Sequence, residues 1–168
     1  MSNTEKKVFQ LLVDNTSGVL SRISGLFSRR GYNIESITAG ITADPRFTRI
    51  TIVTSGDEQI LEQIEKQVRK LEDIKSIVEL KKEDSVYREL CMIKIEAMPS
   101  DRPNVTSLAE IFRANIIDVA PTSLIIELTG NQGKINAFIN LLEGYRILEI
   151  ARTGIAGLSR GSDKVIWL

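Results

Sequence analysis

The chain has 168 residues with 22 basic and 22 acidic side chains, so its formal net charge is zero and no overall field draws it to nucleic acid or anionic lipid. It has no histidine and one cysteine, Cys91, which excludes intrachain disulfides, Cys/His zinc sites and imidazole acid–base catalysis. Its hydrophobic content of 42% suffices for packed cores, no apolar run nears the ~20 residues of a membrane span, and Met1–Lys7 lacks a signal peptide's apolar segment, so a cytoplasmic protein without membrane contact is expected.

In chain order, Val8-Phe9-Gln10-Leu11-Leu12-Val13 is an apolar run of strand type. The loop Asp14-Asn15-Thr16-Ser17-Gly18 follows. Val19, Leu20, Ile23, Leu26 and Phe27 then recur at helical spacing, which predicts a helix over 18–30. Strands are predicted over 32–39 and 47–54, a helix over 57–70 and a strand over 74–80. In the second helix Ile60, Leu61, Ile64, Val68 and Leu71 form one apolar stripe, and its charge run reads as a solvated face.

The second half repeats this order: strand 90–97, helix 104–114, strands 116–120 and 124–128, helix 133–142, strand 147–151. Two local echoes support a repeat. Phe27-Ser28-Arg29-Arg30-Gly31-Tyr32 resembles Phe112-Arg113-Ala114-Asn115-Ile116, and Thr54-Ser55-Gly56-Asp57 resembles Thr129-Gly130-Asn131-Gln132. Cys91 falls in a strand, where a free thiol is usually a small buried hydrophobe. The charged stretch Lys81-Lys82-Glu83-Asp84-Ser85 reads as a linker, giving domains over 1–80 and 90–168 joined by residues 81–89. The segment from Arg152 to Lys164 reads as a surface loop. Two βαββαβ repeats predict an α+β chain of two ferredoxin-like domains in tandem. Each sheet has helices on one face only, so the other face needs cover from a second sheet, another domain or a second copy, and dimerisation is expected.

Three function classes use this strand order. RNA-binding modules stack bases on strand aromatics, and the 5% aromatic content with no aromatic strand motif speaks against nucleic acid. Acylphosphatase-like hydrolases need an arginine in the anion loop, and Arg22 lies a turn into the helix. An amino-acid sensor fits better. Backbone amides from Ser17 to Leu20 at a helix N-terminus suit a carboxylate, and Gly18 allows close approach. Asn15 and Asn33 offer amide carbonyls to an ammonium group, while Val19, Leu20 and Ile34 form an aliphatic wall for a branched side chain. A structural reading stands beside this one: Asp, Asn, Ser and Thr before a helix are commonly caps, and Asn33 after Gly31 suits a C-cap, so spacing alone favours capping.

Asp14-Asn15-Thr16-Ser17-Gly18-Val19-Leu20-Ser21-Arg22 with Gly25–Ser36 resembles the amino-terminal ACT domain of acetolactate synthase small subunits. The resemblance continues through Gly56-Asp57-Glu58, Glu110–Arg113, Ala151–Gly154 and Gly157–Gly161, and spans almost the whole chain. It implies a non-catalytic subunit that binds and activates a large catalytic subunit and confers feedback inhibition by valine or a related branched-chain amino acid. Thiamine diphosphate, Mg and FAD are expected on that large subunit and no cofactor on this chain. The resemblance places the effector site between two ACT domains of a homodimer and carries it onto Asn15, Gly18 and Asn33. It also raises contact between the 152–164 segment and the large subunit. A free-standing amino-acid sensor acting on another partner is the alternative.

Overall fold

The protein is described from a computed structural model over residues 5–162. Its first half runs β1 (Glu5–Asp14), α1 (Val19–Arg30), β2 (Asn33–Ile41), β3 (Phe47–Gly56), α2 (Glu58–Val68) and β4 (Ile74–Glu79). Then follow β5 (Ser85–Glu96), α3 (Arg102–Phe112), β6 (Asn115–Ala120), β7 (Ser123–Gly130), α4 (Gln132–Leu141) and β8 (Ile147–Arg152), with a short β9 (Ala156–Ser159) beyond the repeat. The sheets are ordered β2-β3-β1-β4 and β6-β7-β5-β8, with β9 added to β5. Both repeats are βαββαβ, as the hydrophobic patterning predicts. No helix among the described residues is long and apolar enough to cross a membrane.

The chain divides into two compact units, one holding the residues up to Tyr87 and those from Ile155 onward, the other Arg88–Gly154. This differs from a linker at 81–89. Lys81 to Asp84 forms a turn closed by Asp84 N–H to the Lys81 carbonyl at 3.1 Å, and Ser85 already begins β5. The segment after Arg152 is likewise no loose surface loop. Ile155 is buried, residues 156–159 form β9, and Arg160 N–H donates to the Asp84 carbonyl. Lys164, at the end of the segment read as a loop, lies outside the described residues.

In the first unit every residue from Val8 to Val13 is buried, because both faces of β1 are covered. Phe9, Leu11 and Val13 pack with Ile50 and Ile52 against Ile23, Phe27, Leu61 and Ile64 of the helices. On the opposite face Val8 and Val53 pack against Leu80, Tyr87 and Ile155. That two-sided burial is why β1 reads as a continuous apolar run rather than an alternating one. The cover comes partly from the chain's own returning C-terminal segment. Gln10 is the polar member of the run, and its Nε2 donates to the Gly157 carbonyl at 2.8 Å.

In the second unit Cys91, Ile93 and Ile95 pack with Ile126 and Leu128 against Ile135 and Phe138. Cys91 is fully buried, and burial pushes its thiol pKa up. The two sequence echoes are terminal devices of helices. Asp57 and Asn131 cap α2 and α4 by accepting from Ile60 and Lys134 N–H, each at 2.8 Å. Gly31 and Arg113 end α1 and α3 in the left-handed region, at φ 67 and 53.

Candidate ligand-binding site

The loop leaving β1 enters α1 through Gly18, whose φ of 86 only glycine adopts at low cost, and no side chain caps this helix. That contrasts with α2 and α4. The side chains that suited capping are elsewhere: Asn15 Nδ2 donates to the Pro45 carbonyl at 2.9 Å, its N–H to Arg46 at 2.7 Å, and its Oδ1 accepts from Thr48 Oγ1 at 3.2 Å. Asn15 is thereby stitched to the turn between β2 and β3, with one lone pair of its carbonyl still open. Asn33 does not cap α1, which Gly31 closes; it opens β2, and its Nδ2 donates to Ser55 Oγ at 3.3 Å.

Beside the Asn15–Gly18 loop lies an open cleft of about 270 Å³, lined by Asn15, Ser17, Gly18, Val19, Leu20 and Thr48 among others. It is the size for one small ligand, below the ~300 Å³ where drug-sized pockets begin. Its wall is uneven. Val19 is buried in the core, whereas Leu20 is 49% exposed and presents its side chain outward. The free N–H groups of an uncapped first turn carry partial positive charge, which attracts a carboxylate. The nearby formal charges are paired: Asp14 with Lys75 at 2.7 Å, and Arg22 with Asp73 at 2.6 Å. The Arg22 bonds hold the Asp73 carboxyl below its usual pKa, and the Arg46 bonds do the same for Asp44.

Asn33 and Ile34 do not join this cleft in one copy of the chain. Asp14 pairs with Phe47 at one end of β3 and Asn33 with Ser55 at the other, a separation of about 27 Å at ~3.4 Å per residue. Sequence reading passed over Thr48, Asp73 and Lys75. Only the β1–β3 register, the α2–β4 turn and the pairing of β4 with β1 bring them to the loop.

The equivalent loop of the second unit is filled by its own groups. Asp101 Oδ2 accepts from Met98 N–H at 2.8 Å, and Arg102 donates to the carbonyls of Ala120 and Pro121.

A ferredoxin-like sheet whose first strand feeds a glycine-opened helix over such a cleft defines an ACT domain, and residues 9–76 match the AHAS (acetohydroxyacid synthase) small subunit-like ACT domain family. Residues 88–161 match the family described as small subunit of acetolactate synthase. The chain belongs to the acetolactate synthase small-subunit family. It is 47% identical over 162 residues to the isozyme 3 small subunit of Escherichia coli (strain K12), covering 96% of this chain and 99% of that one. A probable acetolactate synthase small subunit of Archaeoglobus fulgidus is 46% identical, over 95% and 99% of the two chains. The crystal structure of the acetolactate synthase small subunit from Thermotoga maritima superposes with a TM-score of 0.86 at 41% identity, covering 94% of this chain and 99% of that chain.

Proposed function

We propose that the chain is a non-catalytic regulatory subunit that binds the thiamine-diphosphate-dependent catalytic subunit of acetolactate synthase, raises its activity, and makes it inhibitable by valine or a related branched-chain amino acid. The holoenzyme is assigned to the cytoplasm. The observation that carries the reading is the uncapped, Gly18-opened N-terminus of α1 above a cleft sized for one small ligand. The effector's carboxylate docks on the first-turn amides, and the Asn15 carbonyl receives its ammonium group.

The distance between Asn15 and Asn33 supports a site completed by a second copy. Strand β2 is a sheet edge, and Asn33 and Ile41 are its two ends. Antiparallel pairing of two β2 edges about a two-fold axis sets the Asn33 end of one copy beside the Ile41 end of the other, next to the Asn15 loop. Valine bound there bridges two ACT domains and stabilises one dimer arrangement; coupling of ~1–3 kcal/mol is enough for substantial inhibition.

The test is reconstitution. The chain mixed with an acetolactate synthase catalytic subunit is expected to raise its activity and confer valine inhibition. Gly18→Asp, which sets a carboxylate against the effector's own, is expected to remove the inhibition and keep the activation. No change of activity on mixing, or normal valine binding by folded Gly18→Asp in calorimetry, overturns the reading.

A further inference from the structure

Both arms of the candidate loop are fastened to one residue in the turn between α2 and β4. On the entry side, Asp14 N–H donates to the Asp73 carbonyl at 3.0 Å. On the exit side, Arg22 Nε and Nη2 donate to the two carboxylate oxygens of Asp73 at 2.6 and 2.9 Å. The third guanidinium nitrogen, Nη1, stands 2.9 Å from the point that a Cβ on Gly18 would occupy. The arginine fork is thus packed against the glycine through which the loop enters α1.

Fork-to-carboxylate bonding fixes both distance and plane, which a single hydrogen bond does not. The side chains are 47% and 18% exposed, a setting in which an ion pair contributes little net stability. Its effect is geometric. Through its carbonyl and its carboxylate, Asp73 sets the gap between the end of β1 and the first turn of α1, and residues of both line the cleft. Binding sites tolerate displacements of only ~0.5 Å before contacts loosen.

We propose, resting on the effector-site reading above, that Asp73 is a positioning residue for the amino-acid effector, acting through Arg22 on the backbone at Gly18. Asp73 lies 51 positions from Arg22 and does not line the cleft.

The experiment is calorimetric titration of valine, leucine and isoleucine into the full chain, with thermal unfolding of every variant alongside. Asp73→Asn and Arg22→Gln are each expected to weaken effector binding by about tenfold or more with little change in Tm. Asp73→Glu, which keeps the charge and lengthens the arm, is expected to weaken it as well. Arg22→Lys, which keeps the charge and loses the fork, is expected to weaken binding about as much as Arg22→Gln, a result that loss of charge or stability alone does not give. Unchanged affinity in Asp73→Asn, or normal affinity in Arg22→Lys, overturns the positioning role and leaves the effector site standing. If the unaltered chain binds none of the three amino acids, the effector site falls and the positioning role falls with it.

Discussion

Gln10 and Gly157 are joined by a 2.8 Å hydrogen bond across 147 positions of the chain, with the Gln10 amide donating to the glycine carbonyl on a buried sheet face. Gln10→Ala leaves that carbonyl without its partner, a loss of about 1–3 kcal/mol. Gly157→Ala forces a Cβ to 2.9 Å from Leu80 Cδ1 and 3.0 Å from Tyr87 Cδ1, and overpacking of this kind costs about 1–3 kcal/mol. Urea unfolding of both variants checks the pair. Wild-type stability in both contradicts a stabilising role for this contact.

Two left-handed glycines separate strain from site. Gly31→Ala meets open space and pays only for its φ of 67, about 1 kcal/mol, with effector affinity kept. Gly18→Ala carries the same kind of strain and also places a Cβ 2.9 Å from Arg22 Nη1, so it is expected to lose effector affinity too. Equal affinity loss in both alanine variants, by calorimetry, points to a general loosening of α1 instead.

The Glu89 carboxylate is buried and held bidentately by Arg152 at 2.7 and 3.0 Å. Arg152→Met strands that charge and is expected to destabilise the second unit by about 3 kcal/mol. Adding Glu89→Gln recovers part of the loss, because the remaining buried group is neutral. Denaturant midpoints of the single and double variants decide it, and a double variant less stable than the single one contradicts the account.

Acid titration tests the Arg22–Asp73 bond directly. The folded Asp73 carboxyl lies below its unfolded value of ~3.9, so its stabilisation is complete above that pH and fades only as pH falls through the lower, folded value. Between pH 5 and 8 the bond therefore contributes no pH dependence. Carboxyl NMR is expected to show an Asp73 midpoint below ~3.9 that rises in Arg22→Gln. A midpoint at or above it refutes the pairing.

Cys91, fully buried and with its thiol pKa raised by burial, is expected to stay unmodified by iodoacetamide at pH 8 in the native protein and to react on unfolding. Rapid labelling of the folded chain contradicts this.

The fold was legible because its period was: Leu61, Ile64 and Val68 mark the buried face of α2, with Ile60 of the same stripe left exposed, and Val8–Val13 mark a strand buried on both sides. Strand β9 was not legible. Ala156-Gly157-Leu158-Ser159 holds one large apolar side chain and a glycine, and its strand character comes from the neighbours it packs on. The charged run at Lys81 suggested a linker because a turn and a linker share a composition. At the site, Asn15, Ser17 and Gly18 stand together in the sequence and their loop could be read there. Thr48 and Asp73 reach the loop through strand register and a turn, which no local pattern records. Sequence reading grouped Asn15 with Asn33, and a single chain holds them at opposite ends of β3.

That the first unit takes β9 from the far end of the chain has a consequence for synthesis. Once Tyr87 has left the ribosome, the outer face around Val8 and Val53 waits for Ile155, a delay of roughly 3–14 s at ~5–20 residues per second. During that interval the nascent chain carries an apolar sheet face without its own cover. Cutting the gene after the first βαββαβ repeat makes the delay permanent, so an excised effector module should aggregate unless residues 155–162 are supplied with it.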